Sequence, residues 1–160
     1  MCVYSSHSQK KIRIIAGFPG VGKTWIFEHQ KVLRIRCKDS DSAKYQKTDN
    51  WFKDYVSDII KDANSGEYDL IFVSTHKYVI DELCKRRVHF YCVYPHLNLK
   101  KHWIERLFRR ADDRVTKIVS ENYDSFIRDL QSNKSPFKID IQIIYNNQYL
   151  LDILESKNIC

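Results

Sequence analysis

Residues 17–24 of this chain read Gly-Phe-Pro-Gly-Val-Gly-Lys-Thr. The chain has four glycines in 160 residues, and three of them (Gly17, Gly20, Gly22) fall in this octet. An apolar run, Ile12-Arg13-Ile14-Ile15-Ala16, leads straight into it. A sequence so sparing of glycine spends it where a backbone must turn sharply or approach something closely. That narrows the folds open to it.

Gly17-x4-Gly22-Lys23-Thr24 between a strand and a helix is the P-loop pattern. Glycines expose bare N–H groups to phosphate oxygens, and the following helix adds its positive end. The spacing assigns triphosphate contacts to Gly17, Gly20, Val21, Gly22, Lys23, Thr24 and Trp25. Lys23 is the cation for the β- and γ-phosphates and a catalytic residue. The Thr24 hydroxyl is a ligand for Mg²⁺.

Four further apolar runs read as buried strands: Val32–Cys37, Asp69–Ser74, Val88–Tyr94 and Lys138–Ile144. Helical patterns alternate with them at Thr24–Gln30, Asn50–Ala63, Lys77–Arg86, Leu97–Ala111, Arg114–Gln131 and Asn147–Glu155. This alternation predicts a three-layer α/β domain around a parallel sheet. One domain over 1–160 is expected, with residues 1–11 a loose segment. No apolar run reaches the roughly 20 residues of a membrane span, and Met1–Lys11 lacks the core of a signal peptide. Five widely spaced cysteines without CxxC predict reduced thiols, no zinc site and a cytoplasmic setting.

The net charge of +7 is concentrated. Residues 85–110 carry eight Lys/Arg against Glu105, and the remainder sums to zero. Such a segment is either a solvated basic face or an anion site for phosphates or nucleic acid.

Several P-loop classes are excluded. The chain's Asn133-Lys134 continues Ser-Pro, not the Asn-Lys-x-Asp of a GTPase, and the length excludes a ring ATPase with a lid domain. A small phosphotransferase remains. After the second strand comes Lys38-Asp39-Ser40-Asp41-Ser42. Asp39 can serve the metal, and Asp41 with Ser42 the acceptor; a polar turn would read the same. Arg106, Arg109 and Arg110 share an arc of about 100° on their helix. They are either a catalytic clamp on the phosphates or surface arginines paired with Glu105, Asp112 or Asp113.

The chain resembles the small phage-type nucleotide kinases, relatives of nucleoside monophosphate kinases, from about Ile12 to Leu154. The resemblance rests on "IIAGFPGVGKT", "DSDS", "YDLIFVSTHK", "FYCVYP" with "LKKHWIERLFRR", and "NQYLLDIL". It implies a sheet ordered 2-3-1-4-5, ATP with Mg²⁺ at the P-loop, and a nucleoside monophosphate acceptor over the Asp39–Tyr55 region. One departure is the third strand's end, Val73-Ser74-Thr75-His76, which lacks the usual Walker B aspartate. His76 is an acceptor contact or a capping residue. Two other readings stay open: a kinase with a hydroxyl acceptor (a small metabolite or a polynucleotide 5′ end), and a nucleotide-gated module that binds nucleic acid through 85–110.

Overall fold

The computed structural model describes residues 11–110 and 112–159. All but one of the residues expected to form a loose N-terminal segment lie outside the described residues. Five strands form one parallel sheet in the order β2-β3-β1-β4-β5. They are β1 (Ile14–Gly17), β2 (Cys37–Asp39), β3 (Leu70–Val73), β4 (Phe90–Pro95) and β5 (Lys138–Ile143). Every residue of β1 and β3 is buried, as central strands covered on both faces must be. The register sets Ile15 beside Phe72 on one side and beside Tyr91 on the other.

The helices are α1 (Lys23–Glu28), α2 (Gln30–Leu33), α3 (Trp51–Asn64), α4 (Lys77–Lys85), α5 (Lys100–Arg109), α6 (Asp113–Ser132) and α7 (Leu150–Ser156). Parallel connections are right-handed. The three crossovers that step from β2 through to β5 therefore place α3 to α6 on one face, and the reverse step from β1 to β2 places α1 on the other. Each helix buries the stripe its periodicity marked: Tyr55, Val56 and Ile59 on α3, Val79 and Leu83 on α4, Trp103 and Leu107 on α5, Val119, Tyr123 and Ile127 on α6. Among the described residues no helix is long and apolar enough to cross a membrane.

The strand expected at Val32–Cys37 is mostly something else. Gln30–Leu33 is a helical turn, Arg34 leaves it in the left-handed region (φ 56°), and the strand begins only at Cys37. The alternation Leu33, Ile35, Cys37 is genuine, but an edge strand needs pairing on one side only. Three residues suffice to hold it to β3. The helix expected from Leu97 opens as a single 3-10 turn, Leu97–Leu99, before α5 proper.

Candidate active site

The octet joins β1 to α1 at the carboxyl edge of the sheet, where ligands of open α/β sheets bind. Gly20 (φ 91°) and Gly22 (φ 108°) adopt a backbone closed to most other residues. The loop is held from outside. Trp103 Nε1–H donates to the Pro19 carbonyl at 2.7 Å, an Arg106 N–H donates to Gly20 at 3.2 Å, and the Leu150 N–H donates to Val21 at 2.8 Å. With those carbonyls tied to neighbouring elements, and α1's first N–H groups lacking helical acceptors, the loop is built to receive an anion.

Lys23, half-buried, donates from Nζ to the Gly17 carbonyl at 2.6 Å. Its pKa is lowered to about 8, first by burial and then by Arg110, against the opposing pull of Asp39 and Asp41. These four charges therefore sit close enough to feel one another. They line a cleft of about 370 Å³ together with Gly17, Gly20, Gly22, Thr24, Ser42 and the β3 exit residues Ser74 and Thr75. Asp41 is oriented, because its Oδ1 accepts the Ala43 N–H at 2.8 Å. No hydrogen bond or ion pair engages the Asp39 carboxylate among the described residues.

Tyr55 is buried in the apolar stripe of α3 and also serves the site. Its hydroxyl donates to the Ser40 carbonyl at 2.6 Å and accepts the Ser74 N–H at 3.1 Å. It thereby ties the ends of β2 and β3, the two strands whose exit loops line the Lys23 cleft. A tyrosine in an otherwise apolar stripe was the available signal, since a buried hydroxyl needs a partner.

The three arginines do not act alike. Arg106 is buried, and its guanidinium donates to three carbonyls: Gly20, Asn146 at 2.6 Å and Gln148 at 3.0 Å. It lies between the rings of Trp103 (4.1 Å) and Tyr149 (4.0 Å). This arginine binds the P-loop to the loop before α7. Arg109 and Arg110 are exposed. Both line a second cleft of about 760 Å³, and Arg110 alone of the three also lines the Lys23 cleft. The two clefts share Gly20, Gly22, Thr24 and Arg110, so they meet over the P-loop.

His76 lines neither cleft. Its Nδ1 accepts the Tyr78 N–H at 3.2 Å as the cap of α4, and its ring packs edge-on to Trp51. Burial and the nearby Lys47 hold its pKa below the ordinary value. Trp25 lines the larger cleft and stacks on His29 with ring centroids 4.0 Å apart. Val21 is fully buried and lines neither cleft; its N–H donates to the Phe18 carbonyl at 3.2 Å and its carbonyl accepts from Leu150.

The basic segment is not one surface. Lys85, Arg86 and Arg87 precede β4, whereas Arg106, Arg109 and Arg110 follow it. None of Lys85, Arg86 and Arg87 lines either cleft, whereas Arg106, Arg109 and Arg110 do. Arg86 is further engaged by Glu82 and Ser57.

A metal would find Thr24 and Asp39 in the same cleft. Among the described residues no group of three or more His, Cys, Asp or Glu forms a metal cage. The Thr24 hydroxyl and the Asp39 carboxylate are hard oxygen donors of the kind Mg²⁺ takes, one or two from the protein with phosphate and water completing its shell.

No protein-family model and no curated protein matches the chain. Among solved structures, a gluconokinase from Sinorhizobium meliloti 1021 superposes with a TM-score of 0.55 at 14% identity, over 92% of this chain and 89% of that one. An uncharacterized protein from Eubacterium ventriosum ATCC 27560 superposes with a TM-score of 0.50 at 11% identity, over 94% and 97%. Strand order, the glycine octet at the β1 exit and this likeness agree: the chain is built on a P-loop kinase-like fold.

Proposed function

We propose that this protein is an ATP-dependent phosphotransferase acting on a small acceptor. The observation that carries the reading is the convergence of Lys23, Thr24, Asp39, Asp41 and Arg110 on one cleft. ATP phosphates lie along the loop from Gly17 to Trp25. Lys23 and Arg110 supply charge to the transferring phosphoryl group. Thr24 and Asp39 hold Mg²⁺, which when bound neutralises phosphate charge.

The sequence resemblance points to a nucleoside monophosphate acceptor. The lining of the cleft favours a hydroxyl. Its cations are Lys23 and Arg110, both beside the donor phosphates, while the acceptor end presents Asp39, Asp41, Ser40, Ser42, Ser74 and Thr75. Lys47 stands behind that end, its ammonium donating to the Ser42 carbonyl and lying over the Trp51 ring; a monophosphate would need that cation turned to it, whereas an alcohol needs carboxylate and hydroxyl partners. The likeness to a gluconokinase supports the same direction. In this reading the acceptor oxygen attacks the γ-phosphorus, its proton passes to the Asp41 carboxylate, and the bond to the ADP oxygen breaks. The products are a phosphate ester and ADP. Arg106 serves as a positioning residue, Arg109 lines only the adjoining larger cleft, and His76 caps α4.

The test is a transfer panel. ATP is offered with nucleoside and deoxynucleoside monophosphates, with sugar acids and polyols, and with a 5′-hydroxyl oligonucleotide, while ADP and phosphorylated product are measured. Transfer to a hydroxyl acceptor is expected. Transfer to monophosphates alone restores the nucleotide-kinase reading, and the absence of both transfer and ATP binding overturns the phosphotransferase reading.

A further inference from the structure

Two histidines stand at helix entries on either side of the P-loop strand. His76 follows β3 and His96 follows β4, and those are the strands that flank β1. Each caps the helical run after it in the same way. His76 Nδ1 accepts the Tyr78 N–H at 3.2 Å where α4 begins. His96 Nδ1 accepts the Asn98 N–H at 3.2 Å in the 3-10 turn that leads into α5. Elsewhere the chain caps with carboxylates: Asp41 accepts the Ala43 N–H and Asp112 the Val115 N–H. An imidazole differs from these in kind. A backbone N–H only donates, so Nδ1 must be bare and the ring proton sits on Nε2. The next proton therefore goes to Nδ1, the atom that makes the cap. The resulting imidazolium also stands at the positive end of a helix.

We infer that His76 and His96 form a paired acid-sensitive device, whose protonation uncaps α4 and α5 together and loosens the fold on both sides of the P-loop. The backbone around each ring is fixed, so the ring is the part free to change. The His76 N–H donates to Ser74 Oγ at 3.1 Å, the His96 N–H donates to Ile143 at 2.9 Å, and the His96 carbonyl accepts the Tyr123 hydroxyl at 2.8 Å. What each cap supports belongs to the site. Ser74 and Thr75, just before His76, line the Lys23 cleft, and α5 carries Trp103 and Arg106, which hold the Pro19 and Gly20 carbonyls. Solvent reaches both rings, since His76 is exposed and His96 half-buried. Neither imidazole is bonded to a carboxylate among the described residues. The charged and titratable groups around His76 are Lys47, across the Trp51 ring, with Tyr78 and the Lys77–Asp81 pair on its own helix. Around His96 they are Tyr123 on α6 and Lys100 on α5, paired with Asp124. Burial and then Lys47 hold the His76 pKa below its ordinary value. Its cap is thus fully present above that ordinary value and is lost as pH falls through the lowered one. The inference does not depend on the phosphotransferase reading.

The experiment reads the caps and their consequence separately. Proton and nitrogen NMR follows the two imidazoles and the Tyr78 and Asn98 amides of the native chain from about pH 8 to 5, the window in which histidine titrates. Both rings should have Nδ1 bare at the alkaline end, and each amide resonance should shift as its own ring takes up a proton. Urea unfolding over the same range compares the native chain with His76→Asn, His96→Asn and the double variant, because Asn caps a helix and does not titrate. Comparing across pH cancels any packing lost with the ring. Acid should raise the native unfolding constant about fivefold more than that of either single variant, the worth of one cap. Against the double variant the excess should be about 25-fold, since sites that share no partner add. Equal acid losses in the native chain and the double variant overturn the inference. So do amides indifferent to ring protonation, or a response at only one of the two histidines. The native spectra decide the matter even if an Asn variant fails to fold.

Discussion

The Lys23 ammonium donates to the Gly17 carbonyl at 2.6 Å, folding the one lysine of the P-loop back over the residue that begins it. A Cβ at Gly17 would lie 2.8 Å from Lys23 Cδ, so the first glycine also provides the seat for the lysine stem. Lys23→Ala should abolish ATP-dependent transfer, with thermal unfolding little changed, because the lost charge acts on phosphate and not on the core. Undiminished turnover would show that the loop is not a catalytic phosphate site.

The same lysine implies a pH dependence. Its pKa is lowered to about 8, so the cation is present below that pH and lost as pH rises through it. The affinity of the free enzyme for Mg–ATP should therefore fall between about pH 7 and 9, and kcat/KM for ATP should follow, since it reports groups of the free enzyme. A flat profile across that window would contradict the assignment.

Arg106 and Arg110 should separate stability from rate. Arg110→Ala is expected to lower kcat by about 10-fold or more by loss of charge on the phosphoryl group, with stability unchanged. Arg106→Ala leaves carbonyls of Gly20, Asn146 and Gln148 without their donor and should destabilise the fold by about 2–4 kcal/mol. Urea unfolding measured beside steady-state kinetics distinguishes the two. The reverse pattern would make Arg106 the phosphate clamp.

Asp39 and Asp41 report the acceptor. Asp41→Asn should lose rate by about 10²–10⁴-fold at every Mg²⁺ concentration if the carboxylate takes a hydroxyl proton. Asp39→Asn should be partly rescued by raising Mg²⁺, because its loss lies in metal binding. Rescue at both positions would favour a monophosphate acceptor, which needs no base.

His76→Ala should cost about 1 kcal/mol, the worth of a helix cap, and leave KM for the acceptor unchanged. A raised acceptor KM with native stability would return His76 to the acceptor site.

Much of this architecture was legible in local sequence. The strand–glycine loop–helix order, the alternation of apolar runs and the stripes on α3 to α6 each depend on neighbours within a few residues, and period and spacing report such neighbours directly. The strand order expected from the resemblance, 2-3-1-4-5, is the one observed. The end of the first helix and the start of β2 depart from the sequence expectation, because Val32–Cys37 satisfies a strand pattern while Arg34 turns the chain in a left-handed conformation that apolar periodicity does not register.

The sequence by itself determined that a glycine-turned loop of P-loop spacing would follow the first strand, since glycine spacing is a backbone requirement written residue by residue. Only the tertiary structure decided which charged groups would reach that loop. Arg106, Arg109 and Arg110 share one helix face, yet the loop before α7, far away in sequence, supplies carbonyls that bury the first and leaves Arg110 over the cleft. Lys85, Arg86 and Arg87 belong to the same basic run and line neither cleft, Arg86 being turned to Glu82, Ser57 and the Lys53 carbonyl. The reason is geometric: a side chain's partners are set by which distant backbones the packed sheet and helices bring beside it, and linear spacing carries no record of that distance.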